Sequence, residues 1–225
     1  MSKKLNPSKI NKVEELVTDR EVLTQYAEEI DPKKEEALCK EIIYNLKTLV
    51  RENNYPYLTA PQIGYSKKIM AMNYSGDIRI YLNPVITYPK GLDLSREKCL
   101  SLGSEYLCFR NNDITVVYTS LEGKVESVQI VGASAKIFQH AVDHLNGLLL
   151  SDYAIEIDED FDKLSDDEKA ELYKEYANVV GKTCRDFDKL KETDESFKKM
   201  SDAVDFMTKL QKGEVKLTKG GSNGN

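Results

Sequence analysis

The two histidines of the chain lie four residues apart, at His140 and His144. On an α-helix, side chains at positions i and i+4 project from the same face and can share one ion. Neutral imidazole nitrogen suits divalent transition metals, and a stable site needs a third ligand. Cys99 is the candidate, because it follows Glu97 and Lys98 in a polar, turn-like stretch. The alternative is that the histidines form one packed helix face and that Cys99 is an inert thiol.

Three short motifs place these residues in a known context. Residues 139–147, QHAVDHLNG, resemble the third motif of the peptide deformylases, QHExDHLxG. Residues 97–101, EKCLS, resemble their second motif, EGCLS, and residues 58–64, LTAPQIG, resemble the end of their first, GxGLAAPQIG. All three occur in family order, within roughly residues 36–155, and co-linear motifs are more specific than any one alone. The chain is therefore similar to the peptide deformylase family.

The resemblance implies a metal site and an oxyanion hole. By their positions in the motifs, Cys99, His140 and His144 match the ligands of one divalent metal ion, with a fourth position for water. The resemblance implies Fe²⁺ as the metal, with Zn²⁺ or Ni²⁺ as alternatives. Gln62 and the backbone N–H of Leu100 match the groups that polarise the formyl oxygen of the substrate.

Other charged residues near the motifs have implied supporting roles. Glu97 and Arg110 match a structural ion pair beside the cysteine loop. Asp143 is interpreted either as a carboxylate that orients the metal helix or as a solvated helix residue. Glu105 is considered as a replacement acid, which requires it to lie within about 3 Å of the path of the proton.

The chain departs from the family pattern next to the expected reaction. Ala141 stands where the family has the glutamate that takes a proton from the attacking water and hands it to the leaving amine. A methyl group does neither, and a positioned acid–base group typically contributes about 10² to 10⁴ in rate. Tyr55, Tyr57 and Lys98 align with motif glycines, so they are expected to narrow or reshape the substrate cleft. The alternative is a loop with another path and an alignment shifted by a residue or two.

These features support three hypotheses about function. The first is a metal-dependent hydrolase that removes the formyl group from formyl-Met at the N-termini of nascent peptides, weakened by the loss of the glutamate. The second is a catalytically inactive relative that binds metal and holds a peptide or a protein partner. In the third, the metal serves only folding, and the C-terminal segment, residues 156–225, contacts a partner protein.

The hydrophobic pattern predicts the elements that position the site. A helix is predicted from Pro32 to Asn53, with an apolar stripe formed by Leu38, Ile42, Leu46 and Leu49. A second helix starts at Ser134, carries the histidines and ends at Gly147. Segments rich in β-branched and aromatic residues predict strands at 68–72, 78–82, 114–118 and 125–130, and the last two form a hairpin. The sequence therefore predicts an α+β, deformylase-like fold: small antiparallel sheets around a central metal-binding helix.

The predicted organisation has three parts. Residues 1–31 form an N-terminal segment with one helix, and residues 32–155 form the deformylase-like domain. Residues 156–225 form a charged helical C-terminal extension, with helices after Ser165 and from Asp194 and a flexible tail from about residue 213. This extension is interpreted either as solvated helices packed on their own domain or as an interaction arm.

Composition narrows the class of protein. The chain has 225 residues, 40% of them hydrophobic, and a net charge of −6, which argues against binding to a nucleic-acid backbone. It has no apolar run long enough for a membrane span, and its N-terminus lacks the apolar region of a secretory signal. Four cysteines without a CxxC pair favour free thiols over a disulfide framework. We therefore expect a cytoplasmic protein without membrane or nucleic-acid partners.

Overall fold

The structure is a computed structural model that describes residues 15–158, 160–169 and 172. The chain divides into two compact units, which meet in sequence between Leu164 and Ser165. In the second unit, a helical turn follows Ser165, whose hydroxyl accepts from the backbone N–H of Glu168 while the Glu168 carboxylate accepts from the backbone N–H of Ser165. The predicted helix from Asp194 and the tail from about residue 213 lie outside the described residues.

The first unit combines four helices with six strands in its described part. The helices are α1 (Arg20–Leu23), α2 (Glu36–Asn53), α3 (Ala133–Leu145) and α4 (Leu150–Tyr153). The strands are β1 (Tyr57–Thr59), β2 (Ile69–Tyr74), β3 (Asp77–Lys98), β4 (Glu105–Thr119), β5 (Val125–Val131) and β6 (Ile155–Ile157). Short 3₁₀ helices cover Pro61–Ile63 and Phe161–Lys163. The predicted α+β class is confirmed.

The described strands form one antiparallel sheet in the order β1-β2-β3-β4-β5, with β6 paired to β4. The sequence predicts several small antiparallel sheets, but the long strands β3 and β4 join all the described strands into one. Residues 83–84, 89–91 and 111–113 have turn-forming side chains and lie outside the predicted strands, but in the structure they are part of β3 and β4. Two register shifts, at Leu82/Val85 and Thr87/Lys90, absorb the irregular residues, and Asn83 and Tyr88 have positive φ there. Cross-strand pairing thus outweighs the local turn preference.

Helix α2 forms because its apolar stripe has a core to pack against. Ile42 and Leu46 are fully buried in a cluster that includes residues of β1 and β2. The helix begins at Glu36, four residues after Pro32, because residues 32–35 form a turn whose backbone N–H groups at Lys33 and Lys34 are capped by Asp31. Asn54 ends it in the left-handed conformation.

Helix α3 packs its apolar side in a second buried cluster, distinct from the one around α2. Phe138 and Leu145 are buried there with Tyr57, Met70 and Met72 of the first two strands. The helix therefore lies against β1 and β2 on one side and presents its histidines near the end of β3. The N-terminal stretch is part of the same unit, because Leu23, Ala27 and Ile30 are buried in it.

The end of the first unit also differs from the predicted boundary at residue 155. Strand β6 pairs with β4 through Glu105↔Ile157 and Leu107↔Ile155. Phe161 is also buried, and the unit continues to Leu164. Within the described part of the chain, no helix combines the length and the apolar character that a membrane crossing requires.

Candidate metal centre

Three buried side chains meet where the end of β3 approaches α3. The ligand atoms of Cys99, His140 and His144 all lie within 4.8 Å of one another. Cys99 Sγ is 3.5 Å from His144 Nε2, and the two imidazole rings stack with centroids 5.2 Å apart. The structure thus brings together the three residues that the motifs single out, across about forty residues of chain.

Local structure explains how Cys99 reaches the helix. It follows the last residue of β3, and the backbone N–H of Gly103 donates to its carbonyl oxygen in the turn that leads to β4. The long β3–β4 pairing fixes the position of this turn. The four-residue spacing places both histidines on one face of α3, as predicted, and both rings project toward the cysteine.

The hydrogen bonding of the histidines suits metal ligation. His140 Nδ1 lies 3.1 Å from Glu97 Oε2, so Nε2 remains for a metal. His140 Nε2 and His144 Nδ1 are buried and have no hydrogen-bond partner among the described residues. Ligating histidines usually donate their second ring N–H to a carboxylate or carbonyl. The Cys99 thiol, the unpartnered Nε2 of His140 and the Nε2 of His144, which lies 3.5 Å from Cys99 Sγ, therefore fit a divalent transition metal.

The charges around the site set its protonation. Burial lowers the pKa of His144 to about 3, helped by the charges of His140 and Arg110, so this ring is neutral near neutral pH. Burial also acts to lower the pKa of His140, but Cys99 and Glu97 outweigh it and raise that pKa overall. Burial alone would raise the pKa of Glu97, yet hydrogen bonds from His140 and Arg110 bring it well below its ordinary value. Glu97 therefore stays ionised and holds His140.

Arg110 lies at the centre of a buried charge network behind the site. Its guanidinium donates to Glu97 at 2.9 and 3.0 Å, to Asp143 at 2.7 Å and to the Tyr153 hydroxyl at 2.7 Å. Tyr153 in turn donates to Asp143 at 2.5 Å. Asp143 therefore helps to hold α3 in place, which agrees with its interpretation as a helix-orienting carboxylate and not with that of a solvated residue. One guanidinium for two carboxylates leaves local negative charge that favours a cation.

Gln62 is buried beside the cysteine loop with its amide fixed in orientation. Its Oε1 accepts from the backbone N–H and the hydroxyl of Thr59, at 3.1 and 2.9 Å. Its Nε2 donates to Ser101 Oγ at 3.3 Å. Leu100 lies between Cys99 and Ser101 in the same turn and is half-buried. The two predicted oxyanion groups are thus near neighbours of Cys99 in the fold.

The three expected cleft residues have different surroundings. Tyr57 is 3% exposed, and its ring centroid is 5.1 Å from that of His140 and 6.3 Å from that of His144. Tyr55 packs instead against the cluster around α2. Lys98 is exposed and pairs with Glu105 across β3 and β4. Of the three, Tyr57 is the one that contacts the histidines, because it is the first residue of β1, opposite α3.

Position 141 offers no acid, and the proposed substitute does not supply one. Ala141 is fully buried in the apolar cluster that contains Tyr57 and Phe138. Glu105, considered as a replacement, forms an ion pair with Arg96 at 2.7 Å, with both side chains about 40% exposed. The Glu105 carboxylate is thus engaged by Arg96, and Glu105 is not among the residues that group with the histidines.

Some contributors to the site were missed by sequence reasoning. The contact of Glu97 with His140 had a usable signal, since Glu97 and Cys99 are two residues apart at a strand end and point to the same face. Ser101 and Tyr153 carried no such signal, because Ser101 makes its contact from a turn and Tyr153 makes its contact from the end of α4.

Comparison with known sequences gives a consistent result. The sequence pattern of the polypeptide deformylase family matches residues 12–160. The peptide deformylase of Dictyoglomus thermophilum is 35% identical over 130 residues, which cover 57% of this chain and 82% of that protein. That of Halothermothrix orenii is 36% identical over 107 residues, covering 46% of this chain and 69% of its own length.

Solved structures resemble the fold as well. The peptide deformylase of Thermotoga maritima superposes with a TM-score of 0.57 at 28% identity, covering 63% of this chain and 97% of that one. The enzyme from Synechococcus elongatus, solved in complex with actinonin, gives a TM-score of 0.57 at 26% identity, covering 68% of this chain and 82% of that one. The described helices and antiparallel sheet are thus shared with solved deformylases.

Proposed function

The chain belongs to the polypeptide deformylase family, and from this premise we propose that it is a metal-dependent hydrolase of N-formyl groups. Its substrate would be the formyl-Met terminus of nascent or formylated peptides, and its products formate and a free amine. We also propose a cytoplasmic location, where peptide N-termini emerge from the ribosome and where thiols such as Cys99 stay reduced. The absence of an acid–base side chain at Ala141 would make turnover slow.

The observation that carries this proposal is the grouping of one thiol and two imidazoles, whose ligand atoms lie within 4.8 Å of one another. Cys99, His140 and His144 would hold the cation, which the family uses as a divalent metal. When bound, such a cation polarises a carbonyl oxygen and lowers the pKa of water. Fe²⁺, Zn²⁺ and Ni²⁺ all suit this mixed nitrogen and sulfur ligand set.

The chain's own residues would orient the substrate and the ligands. Glu97 holds the His140 ring through Nδ1, and Arg110 holds Glu97. The fixed Gln62 amide and the backbone N–H of Leu100 would donate to the oxygen of the formyl group as charge develops on it. At position 141 a methyl group replaces the group that would move the proton, so the missing acid–base contribution is about 10² to 10⁴ in rate.

The test is formate release from a formyl-Met peptide by protein reconstituted with Fe²⁺ under anaerobic conditions, or with Ni²⁺. We expect slow, metal-dependent release that is lost in Cys99→Ala. The control is Cys108→Ala, since Cys108 is also a buried free thiol but is not among the grouped ligands. Release no faster than that of free metal, in every metal form, would contradict the proposal.

A second candidate function is metal-dependent binding of peptide termini without hydrolysis. It is favoured by one observation: the methyl group of Ala141 and the ring of Tyr57 are both buried next to the ligand histidines, where reacting groups would be needed. Calorimetry with formylated and unformylated peptides separates the two functions. Binding with no formate release identifies the second, and slow release identifies the first.

A further inference from the structure

Tyr57 occupies space directly beside the two candidate ligand histidines. Its ring is tilted by 47° to that of His140 at 5.1 Å, and by 31° to that of His144 at 6.3 Å. Tyr57 is 3% exposed, and the two histidines are 4% and 0% exposed. A ring in this position covers part of the imidazole surface and denies that space to any other group.

The Tyr57 hydroxyl gains nothing that would explain its burial. It has no hydrogen-bond partner among the described residues. Burying a hydroxyl without a hydrogen-bond partner is unfavourable. Two ring nitrogens of the contacting histidines are also unpartnered. The contacts of the ring, and not a hydrogen bond of the hydroxyl, therefore account for the packing of Tyr57.

Ala141 and Tyr57 differ greatly in size, and both are buried. Both belong to the buried cluster between α3 and the first strands, together with Phe138 and Leu145. A longer acidic side chain at position 141 would have to enter this cluster. The small side chain at 141 and the large one at 57 are thus packed in the same buried cluster.

We propose that Tyr57 controls access to the metal centre, so that the side chain at position 57 sets how well a peptide terminus binds. The identity of the peptide rests on the proposed function, but the control of access does not. One consequence is specific: Ala141→Glu alone does not restore turnover, because Tyr57 still fills the space that the carboxylate and the peptide need.

The first test measures access without measuring turnover. Cys99 in the metal-free protein is alkylated with iodoacetamide, and its rate is read by mass spectrometry with the buried Cys39 and Cys108 as internal references. Tyr57→Ala is expected to speed the modification of Cys99 at least about tenfold, because thiol reactivity follows exposure. Tyr57→Phe keeps the ring and should leave Cys99 as protected as in the parent protein.

Tyr81→Ala is the matched control for loss of a buried tyrosine. Tyr81 is also 3% exposed and belongs to the same cluster, but its ring packs on Tyr118 and Phe138, at 4.9 and 5.0 Å. The Tyr81→Ala variant should leave Cys99 protected from alkylation. Equal acceleration in both alanine variants would mean general loosening and would overturn the inference. If Tyr57→Ala does not fold, Tyr57→Val takes its place, since valine suits a strand and is still much smaller.

The second test separates binding from turnover with a formyl-Met peptide and Ni²⁺-loaded protein. Tyr57→Ala should tighten peptide binding about tenfold in calorimetry, because the ring no longer occupies the space that the peptide terminus needs. Ala141→Glu alone should change kcat by less than about threefold, whereas the double variant should raise kcat about 10²-fold over Tyr57→Ala. Full restoration by Ala141→Glu alone, or unchanged Cys99 reactivity in a folded Tyr57→Ala, would overturn the inference. Faster alkylation and tighter binding with no formate from any variant would uphold it and reject the proposed hydrolysis.

Discussion

Arg110 illustrates, at the scale of single residues, how the site depends on groups that do not touch a metal. Its side chain is 6% exposed and pairs with two carboxylates, Glu97 and Asp143. One of these holds His140, and the other lies on the helix that carries both histidines. Burial acts to lower the pKa of Arg110, but its acidic neighbours outweigh it and raise that pKa, so the guanidinium stays charged.

Replacing Arg110 by alanine should therefore destabilise the protein strongly. Two carboxylates would remain buried without their cation, and breaking a buried pair in this way typically costs about 3–5 kcal/mol. The free energy of unfolding from urea titrations measures this loss. The matched control is Arg96→Ala, because Arg96 also pairs with two carboxylates, those of Glu105 and Asp162, but is 42% exposed. Exposed pairs contribute about 0–1 kcal/mol, so equal losses in the two variants would refute the argument.

The residues of the site were predictable to different degrees. The four-residue spacing of His140 and His144 is a local property of a helix and could be read directly. The approach of Cys99 depends on strand pairing over long sequence distances, so only the motif resemblance indicated it. The position of Tyr57 was foreseen in outline as a cleft residue. Its contact with the histidines was not foreseen, because that contact depends on how α3 packs against β1.

At the scale of elements, the end of α3 shows how a helix is joined to its surroundings. Gly147 follows the helix with φ of +70°, a conformation that side chains disfavour. A Cβ atom at this position would lie 2.4 Å from the carbonyl oxygen of Thr24. The backbone N–H of Ala27 also donates to the carbonyl oxygen of Leu145, at 3.0 Å. The N-terminal stretch is thus packed tightly against the point where the metal helix ends.

Gly147→Ala should consequently disturb both conformation and packing. Gly76→Ala is its matched control, since Gly76 has φ of +100° but nothing within 4 Å of an added Cβ atom. The conformational cost alone is about 1–3 kcal/mol in either variant. We expect Gly147→Ala to lose at least about 2 kcal/mol more than Gly76→Ala, because backbone atoms at Thr24 must move. Chemical unfolding of both variants measures the difference, and equal losses would show that the contact with Thr24 is unimportant.

The predicted helices and strands match the observed ones where the local sequence pattern and the tertiary packing favour the same structure. The stripe of Leu38, Ile42 and Leu46 predicted α2, and the region around His140 predicted α3 with its end at Gly147. The long strands were missed, because Asn83 and the Pro89–Gly91 stretch have turn-forming residues. These residues stay in β3 because the neighbouring strand provides hydrogen bonds on both sides of each irregularity, which the sequence alone does not display.

For the whole molecule, the extent of the folded unit leads to a truncation experiment. Strand β6 and Phe161 belong to the first unit, which ends at Leu164. A chain of residues 1–164 should therefore bind metal like the full protein and melt within a few degrees of it. A chain that ends at residue 155 lacks both elements and should melt clearly lower, since burial of one large apolar side chain contributes about 1.5–3 kcal/mol. Equal melting temperatures of the two truncations, measured by circular dichroism, would show that residues 156–164 do not stabilise the unit.

Metal removal connects the site to the stability of the entire chain. A ligand that binds only the folded state stabilises it in proportion to the logarithm of its concentration, by about 2.7 kcal/mol at a hundred times the Kd. For a chain of this size, about 1 kcal/mol corresponds to roughly 2–4 °C in Tm, so chelation should lower Tm by several degrees. The buried, unpartnered Nε2 of His140 adds to the effect, because it loses its ligand while remaining buried.

The control variants determine whether this shift comes from the proposed centre. Cys99→Ala removes one of the three grouped ligands, so its Tm should respond little to EDTA or to added Zn²⁺. Cys108→Ala removes a buried thiol from β4 outside the group, so it should keep the full response. Differential scanning calorimetry at several metal concentrations measures both. If the cation binds at Cys99, its stabilising effect must disappear when Cys99 is removed, because metal binding and folding are linked through the ligands. A parent Tm that does not change with metal would contradict the proposed centre. A Cys99→Ala protein that responds to metal as the parent does would show that the cation binds elsewhere.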